Sequence, residues 1–216
     1  SMKNGWLKKM NGNKGAVIAK PGQAGFFKVL KDYVQTLKIH LCTYIGLAAV
    51  IGEVSASGTL SGQSLLTGLS VWILAMGAAV LNNIQDRHFD RAFDRTAGRS
   101  LPQRRISVKS AARLCVVLIT AGLFLLVLNG SWICMGLGLL AVVLYNAVYT
   151  PLKKKQLSAL VPGTLSGMMP VLIGWTATGT TAVSLELALL MAILGLWQIP
   201  HFFIIALKQH GPERTY

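Results

Sequence analysis

Charged residues are scarce in this sequence of 216 residues. They make up 13% of the chain, and only seven of them are Asp or Glu. A soluble globular domain usually carries about 25% charged residues. Because hydrophobic residues reach 53% of the chain, this shortage argues against a water-soluble enzyme and predicts that lipid covers most of the outer surface.

Cysteine is equally rare. The three cysteines, Cys42, Cys115 and Cys134, all lie in apolar stretches. Their odd number argues against a disulfide framework, and their spacing gives no metal-ligand pattern. We interpret them as small apolar residues that pack between helices.

Long apolar runs dominate the rest of the chain. About 20 consecutive apolar residues span a bilayer as a helix. Six stretches qualify and predict an all-α, polytopic transmembrane helical bundle: 37–57, 64–84, 109–128, 132–150, 157–177 and 183–207. We divide the chain into a basic N-terminal segment, 1–31, and a membrane domain, 32–216. Pro162, Pro170 and Pro200 predict interruptions or kinks in the last two spans.

The basic residues indicate the orientation of the bundle. All 21 lysines and arginines lie in or beside the termini and the connections 85–108 and 151–156, and none lies in the connections on the opposite side. The positive-inside rule therefore predicts cytosolic termini. The first 30 residues carry no cleavable apolar segment, so we expect no secretory signal peptide. They also lack the Arg and Ser bias of a transit peptide, which favours a bacterial inner (plasma) membrane. Anchoring to anionic head groups accounts for the net charge of +14, so we expect no nucleic acid as a partner.

A polar stripe follows the second span. Asn82, Asp86, Asp90 and Asp94 recur every four residues, so on one continuous helix they lie on one face, roughly 6 Å apart. Like charges at this spacing repel each other, and carboxylates near a helix C-terminus oppose the macrodipole. The stripe is therefore either a solvated charged face with loose ion pairs or a site for a divalent cation.

The chemistry of the stripe favours the cation. Carboxylate oxygens from successive turns suit Mg²⁺, which typically bridges one or two carboxylates to phosphate groups. Nearby arginines are suited to hold phosphate oxygens with two hydrogen bonds each; they are Arg95, Arg99, Arg104 and Arg105. The combination points to a diphosphate ligand at the membrane surface.

Two more polar clusters end the fourth and sixth spans. Tyr149 and Lys153 lie four residues apart, and an interfacial aromatic belt followed by topology-setting lysines is the simpler interpretation. Gln198 and His201 are three apart and share a helix face, although His201 is equally typical of an interfacial histidine. The predicted topology places all three clusters at the same membrane face, which favours one site.

These motifs resemble those of the UbiA-type membrane prenyltransferases. The aspartate-rich motif of that superfamily is similar to Asn82-x3-Asp86-x3-Asp90-x3-Asp94-Arg95-Thr96-x2-Arg99, and its Tyr/Lys motif is similar to Tyr149-Thr150-Pro151-Leu152-Lys153. Residues 167–175 and 197–202 resemble the protoheme IX farnesyltransferase (haem O synthase) branch. The entry to the first span, Asp32-Tyr33-Val34-Gln35-x2-Lys38, also fits that branch. Family members normally have nine helices, about three beyond the end of this sequence.

The resemblance implies a site and a reaction. It implies Mg²⁺ held by Asn82, Asp86, Asp90 and Asp94. It implies catalytic roles for Asp86, Asp90, Tyr149 and Lys153, and diphosphate contacts for Arg95, Arg99, Lys153 and Lys154. Gln198 and His201 are then the contacts to the acceptor.

The implied reaction transfers a farnesyl group from farnesyl diphosphate to a vinyl group of haem B. Other proteins of haem A synthesis or terminal oxidase assembly are further expected partners, besides the lipid bilayer. The same chemistry on a quinone precursor such as 4-hydroxybenzoate is an alternative. A non-catalytic membrane assembly factor is another.

Overall fold

Helices make up the regular secondary structure of the described part of this chain. The computed structural model describes residues 25–153 and 159–210, without the side chains of residues 26, 201, 202 and 205–210. In chain order the helices are α1 (Phe26–Leu37), α2 (Ile39–Ser57), α3 (Gly62–Asp90), α4 (Asp94–Ala97), α5 (Val108–Asn129), α6 (Trp132–Leu152), α7 (Leu160–Ala177) and α8 (Leu185–His210). The prediction of an all-α bundle is confirmed, and the predicted boundary at residue 31 falls inside α1.

Five helices have the length and apolar composition needed to cross a bilayer. They are α2, α3, α5, α6 and α7, which correspond to the first five predicted spans. The sixth predicted span also forms a helix, α8, but its apolar part in the described residues, Leu185–Pro200, is shorter than a full span. The chain is a multi-pass membrane protein.

Helix α3 lies at the centre of the bundle. It packs against α2, α5, α6 and α7, and its Leu74 belongs to a buried cluster with Leu126 of α5 and Ile173 of α7. Serine caps fix the starts of three spans: the hydroxyls of Ser61, Ser107 and Ser131 accept hydrogen bonds from the backbone of the first turn.

The predicted interruptions at the prolines are absent from the described helices, while the predicted kinks stay a prediction. Pro162 lies in the first turn of α7, where a missing N–H costs no helical hydrogen bond. Helices α7 and α8 both continue past their internal prolines, Pro170 and Pro200. The irregular segment lies in α6 instead, where residues Val143–Tyr149 form a π-helix.

The uncharged connections meet at one end of the bundle. At the start of α3, the Gln63 side-chain amide donates to the carbonyl of Asn129 (3.0 Å) and to that of Ala177 (3.4 Å). The side-chain amide of Asn129 in turn donates to the Thr67 hydroxyl of α3 at 2.7 Å. These bonds join the ends of α5 and α7 to the start of α3, as the alternating order of spans requires. The cytosolic assignment of the opposite end stays a prediction.

Labelling of an introduced cysteine tests that assignment. Val183, in the connection before α8, is 82% exposed, and the three native cysteines are buried. We expect Val183→Cys to react with a membrane-impermeant maleimide added outside intact cells, because its connection carries no basic residue. Gln103→Cys, on the basic side and also exposed, is the control and should react only after permeabilisation. The opposite labelling pattern would show that the basic side of the bundle faces outward.

Candidate active site

The last two turns of α3 carry three members of the predicted stripe. Asn82, Asp86 and Asp90 are all buried, and α3 runs six residues beyond the predicted end of its span, to Asp90. The burial of two carboxylates in this stretch argues against a solvated charged face.

Asp94 does not continue the stripe. Helix α3 ends at Asp90, and Asp94 begins the separate helix α4, where its side chain is exposed. The predicted continuous helix through Asp94 is therefore wrong. The Thr96 hydroxyl donates to the carbonyl of Asp90 at 2.8 Å, and the Arg91 guanidinium donates to the carbonyl of Pro102 at 2.8 Å, so contacts outside the helix stabilise the turn.

Asp86 pairs with the lysine of the Tyr/Lys cluster. The Lys153 ammonium lies 2.7 Å from an Asp86 carboxylate oxygen, and both side chains are largely buried. The Asn82 amide donates to the same oxygen at 3.1 Å and to the Thr150 hydroxyl at 3.0 Å. The end of α3 and the end of α6 therefore meet, as their predicted convergence requires.

Asp90 pairs with an arginine from the following connection. The Arg99 guanidinium lies 2.8 Å from an Asp90 carboxylate oxygen. Each of the two buried carboxylates thus has a basic partner from outside α3, and the two ion pairs bring four charges to one end of the bundle. Lys153 and Arg99 are both predicted diphosphate contacts.

The π-helix positions the aromatic part of the site. The rings of Tyr145 and Tyr149 stack with centroids 5.7 Å apart, and the Lys153 ammonium lies 5.5 Å from the centre of the Tyr149 ring. A cation at this distance from a ring is attracted to its face. The carbonyl of Tyr145 accepts the backbone N–H of Thr150 and also the Thr150 hydroxyl at 2.8 Å.

An amide pair holds the π-helix against α3. The Asn146 amide donates to the carbonyl of Ala78 at 3.0 Å and to the Gln85 side-chain oxygen at 3.3 Å. The Gln85 amide donates back to the carbonyl of Asn146 at 3.0 Å. Sequence reasoning gave this pair no role, although a lone asparagine inside an apolar span was a signal.

Lys38 is a further member of the site that the sequence left without a role. It joins α1 to α2 in a left-handed backbone conformation, with φ 52°, and its ammonium donates to the Asn82 side-chain oxygen at 3.2 Å. Burial lowers the pKa of Lys38 to about 8, and the positive charges of Arg99 and Lys153 add to this effect. The signal in the sequence was a lysine at the second position of the first predicted span, 37–57.

A cavity of about 210 Å³ opens beside the Asp90–Arg99 pair. Its walls combine charged and polar side chains from α1, α3 and the connection after α4. They are Gln35, Thr36, Lys38, Asn83, Asp90, Arg99, Ser100, Leu101 and Pro102. This volume suits a small anionic group or a few water molecules.

Other predicted residues lie apart from these ion pairs or outside the described residues. Arg95 is exposed on α4. Gln198 lies on α8 and packs against Gly167 of α7. Lys154 and the side chain of His201 lie outside the described residues.

The donor set suits a hard cation, although the site is not preformed for one. Among the described residues, no group of three or more His, Cys, Asp or Glu side chains is arranged to hold a metal ion. The two carboxylates and the Asn82 amide oxygen are nevertheless hard oxygen donors of the kind Mg²⁺ takes. Phosphate oxygens of a ligand could complete such a coordination shell, because Mg²⁺ commonly binds one or two carboxylates together with substrate phosphates.

Similar proteins place the chain in a family. The protoheme IX farnesyltransferase of Geobacter sulfurreducens is 37% identical over 168 residues, which cover 78% of this chain and 62% of the relative. The protoheme IX farnesyltransferase of Nitratidesulfovibrio vulgaris is 31% identical over 185 residues, 86% of this chain and 64% of that protein. The chain thus spans a little less than two thirds of the length of these curated relatives.

Two solved structures share the fold. One, of a UbiA homolog from Archaeoglobus fulgidus bound to DMAPP and Mg²⁺, has a TM-score of 0.67 at 18% identity, covering 79% of this chain and 62% of its own. The other, of a digeranylgeranylglyceryl phosphate synthase, has a TM-score of 0.67 at 21% identity and covers 79% and 60%. The model of the UbiA prenyltransferase family matches residues 40–215. The chain belongs to the UbiA prenyltransferase family.

Proposed function

We propose that this chain carries the active site of a Mg²⁺-dependent prenyltransferase that moves a farnesyl group from farnesyl diphosphate to haem B and forms haem O. The observation that carries the proposal is the two ion pairs that the buried carboxylates of Asp86 and Asp90 form with Lys153 and Arg99. In these pairs, carboxylates that can bind a metal ion lie beside basic side chains that can bind a diphosphate. The protoheme IX farnesyltransferases among the relatives support haem as the acceptor.

The oxygen donors Asn82, Asp86 and Asp90 would hold Mg²⁺, which when bound supplies positive charge against the diphosphate oxygens. Asp94 is left out of this set because it lies exposed on a different helix.

The basic side chains act on the leaving group. Lys153 and Arg99 turn from their carboxylates to the diphosphate oxygens, where positive charge stabilises the negative charge that develops as the bond breaks. The Tyr149 ring holds the Lys153 ammonium over its face. Lys38, whose ammonium has an amide oxygen as its partner, adds a third positive charge on the α1 side. Arg95 and Lys154 remain further proposed contacts.

The transfer itself forms a carbon–carbon bond. The C1–O bond of farnesyl diphosphate breaks, and its electron pair leaves with the diphosphate. The π electrons of a haem vinyl group then attack C1, and water adds to the resulting cation and loses a proton to give a hydroxyethylfarnesyl group. We propose Gln198 and His201 as contacts to the haem.

The cellular setting follows from the basic connections. We propose that the protein lies in the bacterial inner (plasma) membrane with both termini cytosolic, so that the site opens toward the cytosol. Proteins of haem A synthesis or of terminal oxidase assembly are then candidate partners.

A reconstitution assay tests this function. The chain is incorporated into liposomes with farnesyl diphosphate and Mg²⁺, and either haem B or 4-hydroxybenzoate is supplied. We expect mass spectrometry to detect haem O, and we expect no haem O to form when EDTA chelates the Mg²⁺. Prenylated 4-hydroxybenzoate without haem O would assign the chain to quinone synthesis. Diphosphate binding without transfer to either acceptor would favour a non-catalytic role.

A further inference from the structure

Helix α1 exposes an apolar strip. Phe27, Leu30 and Val34 are 83%, 48% and 42% exposed, and at 100° per residue their side chains fall within about 60° of one another around the helix axis. An exposed strip of large apolar side chains on an amphipathic helix calls for an apolar environment.

A second side of α1 is fixed to the protein. The Asp32 carboxylate accepts hydrogen bonds from the Ser100 hydroxyl at 2.8 Å and from the Arg105 guanidinium at 2.9 Å. One turn later, the carbonyl of Thr36 accepts from the Asn83 amide at 2.8 Å. Helix α1 therefore cannot turn its apolar strip inward without breaking the Asp32–Arg105 ion pair and the hydrogen bonds beside it.

A third side of α1 is basic. Lys28 and Lys31 are exposed and lie between the apolar strip and the fixed side. Long basic side chains in this position reach anionic head groups while the apolar strip lies in the acyl region. Charge and apolar surface are thus arranged as in helices that lie in the plane of a membrane surface.

The segment that follows α1 in the sequence places this helix at the edge of the bilayer. Lys38 alone separates α1 from α2, the first span, and the exposed side chains that follow, Leu41 and Tyr44, belong to the outer surface of that span. The apolar strip is therefore close to the lipid that surrounds α2. A second protein would have to approach α1 at the level of the head groups.

We propose that α1 is a membrane-surface helix: Phe27, Leu30 and Val34 lie in the lipid of the leaflet at the end where the basic connections gather. Away from this strip, Gln35 and Thr36 of α1 form part of the wall of the cavity beside Asp90 and Arg99. Lipid on one side and hydrogen bonds on the other then fix the position of this wall. The proposal does not depend on the reaction that the site performs.

Spin-label accessibility tests the proposal on the full chain. Leu30→Cys and Val34→Cys are labelled with a nitroxide in liposomes of phosphatidylcholine and phosphatidylglycerol, and collisions with O2 and with Ni-EDDA are compared. We expect O2 to dominate at both positions, as at Val117→Cys on the exposed face of α5, because O2 concentrates in lipid. Lys31→Cys should favour Ni-EDDA, as should Gln103→Cys in the exposed connection after α4.

Two results would overturn the proposal. Dominant Ni-EDDA collisions at Leu30 and Val34 would place the strip in water. Low collision rates with both reagents would show that protein covers it, either a second copy of the chain or another segment. The unlabelled variants should keep the melting temperature of the native chain, which separates misplacement of α1 from misfolding.

Discussion

Asp86→Asn is expected to lower the rate of prenyl transfer about a hundredfold or more, a loss typical of removing one charge-stabilising group from an active site. The substitution keeps the size of the side chain and a hydrogen-bond acceptor for Lys153, but it removes the negative charge that we propose holds Mg²⁺. Asp90→Asn should act in the same direction, because Asp90 is also buried and paired. Initial rates in liposomes at several Mg²⁺ concentrations measure the effect.

Asp94→Asn is the matched control. It removes the same charge four residues beyond Asp90, but from an exposed side chain on α4, so we expect a rate close to that of the native chain. Calorimetric titration with farnesyl diphosphate, with and without Mg²⁺, separates binding from turnover. If Asp86→Asn and Asp94→Asn behaved alike, the buried carboxylates would not be metal ligands, and a solvated face would be the better interpretation.

The sequence predicted the part of the site that depends on local spacing. Asn82, Asp86 and Asp90 share a face because one helix carries them, and a four-residue period is enough to see it. The charge distribution correctly predicted that Lys153 would lie at the same end of the bundle. The prediction that Asp94 continues the stripe was wrong, because contacts beyond α3 stabilise the turn that ends this helix. One of them joins the Thr96 hydroxyl to the carbonyl of Asp90.

The remaining members of the site depend on long-range contacts. Lys38 reaches Asn82 across 44 residues, and Asn82 reaches Thr150 across 68, so no spacing rule could have paired them. The π-helix in α6 had no periodic signal either. Proline was the strongest visible cue for irregularity, and it pointed to α7 and α8, which both continue past Pro170 and Pro200.

The packing of α2 against α7 likewise depends on residues whose role the sequence alone did not specify. A Cβ atom at Gly174 would overlap the backbone carbonyl of Ala49, and a Cβ atom at Gly52 would overlap that of Val171. Each glycine thus faces the backbone of the other helix. Small residues at a helix contact in membranes allow backbones to approach this closely.

Gly174→Ala is therefore expected to reduce the free energy of unfolding by about 1–3 kcal/mol, the usual cost of overpacking. The obstructing atom is a backbone oxygen, which cannot rotate aside as a side chain can, so α2 and α7 must separate. Because α2 begins directly after Lys38, that separation should also displace Lys38 from Asn82 and weaken diphosphate binding. Unfolding in detergent with increasing sodium dodecyl sulfate measures the stability change.

Gly136→Ala separates packing from helix propensity. Gly136 lies on α6, and beyond its chain neighbours and the nearby backbone of its own helix, a Cβ atom there meets no atom of the described residues within 4 Å. Replacing a glycine inside a helix by alanine stabilises the helix by roughly 0.5–1 kcal/mol when nothing obstructs the methyl group. The two variants add the same methyl group to a helix, so we expect opposite signs: a gain or no change for Gly136→Ala and a loss for Gly174→Ala. Equal stability of the two would mean that α2 and α7 are further apart than their backbone contacts indicate.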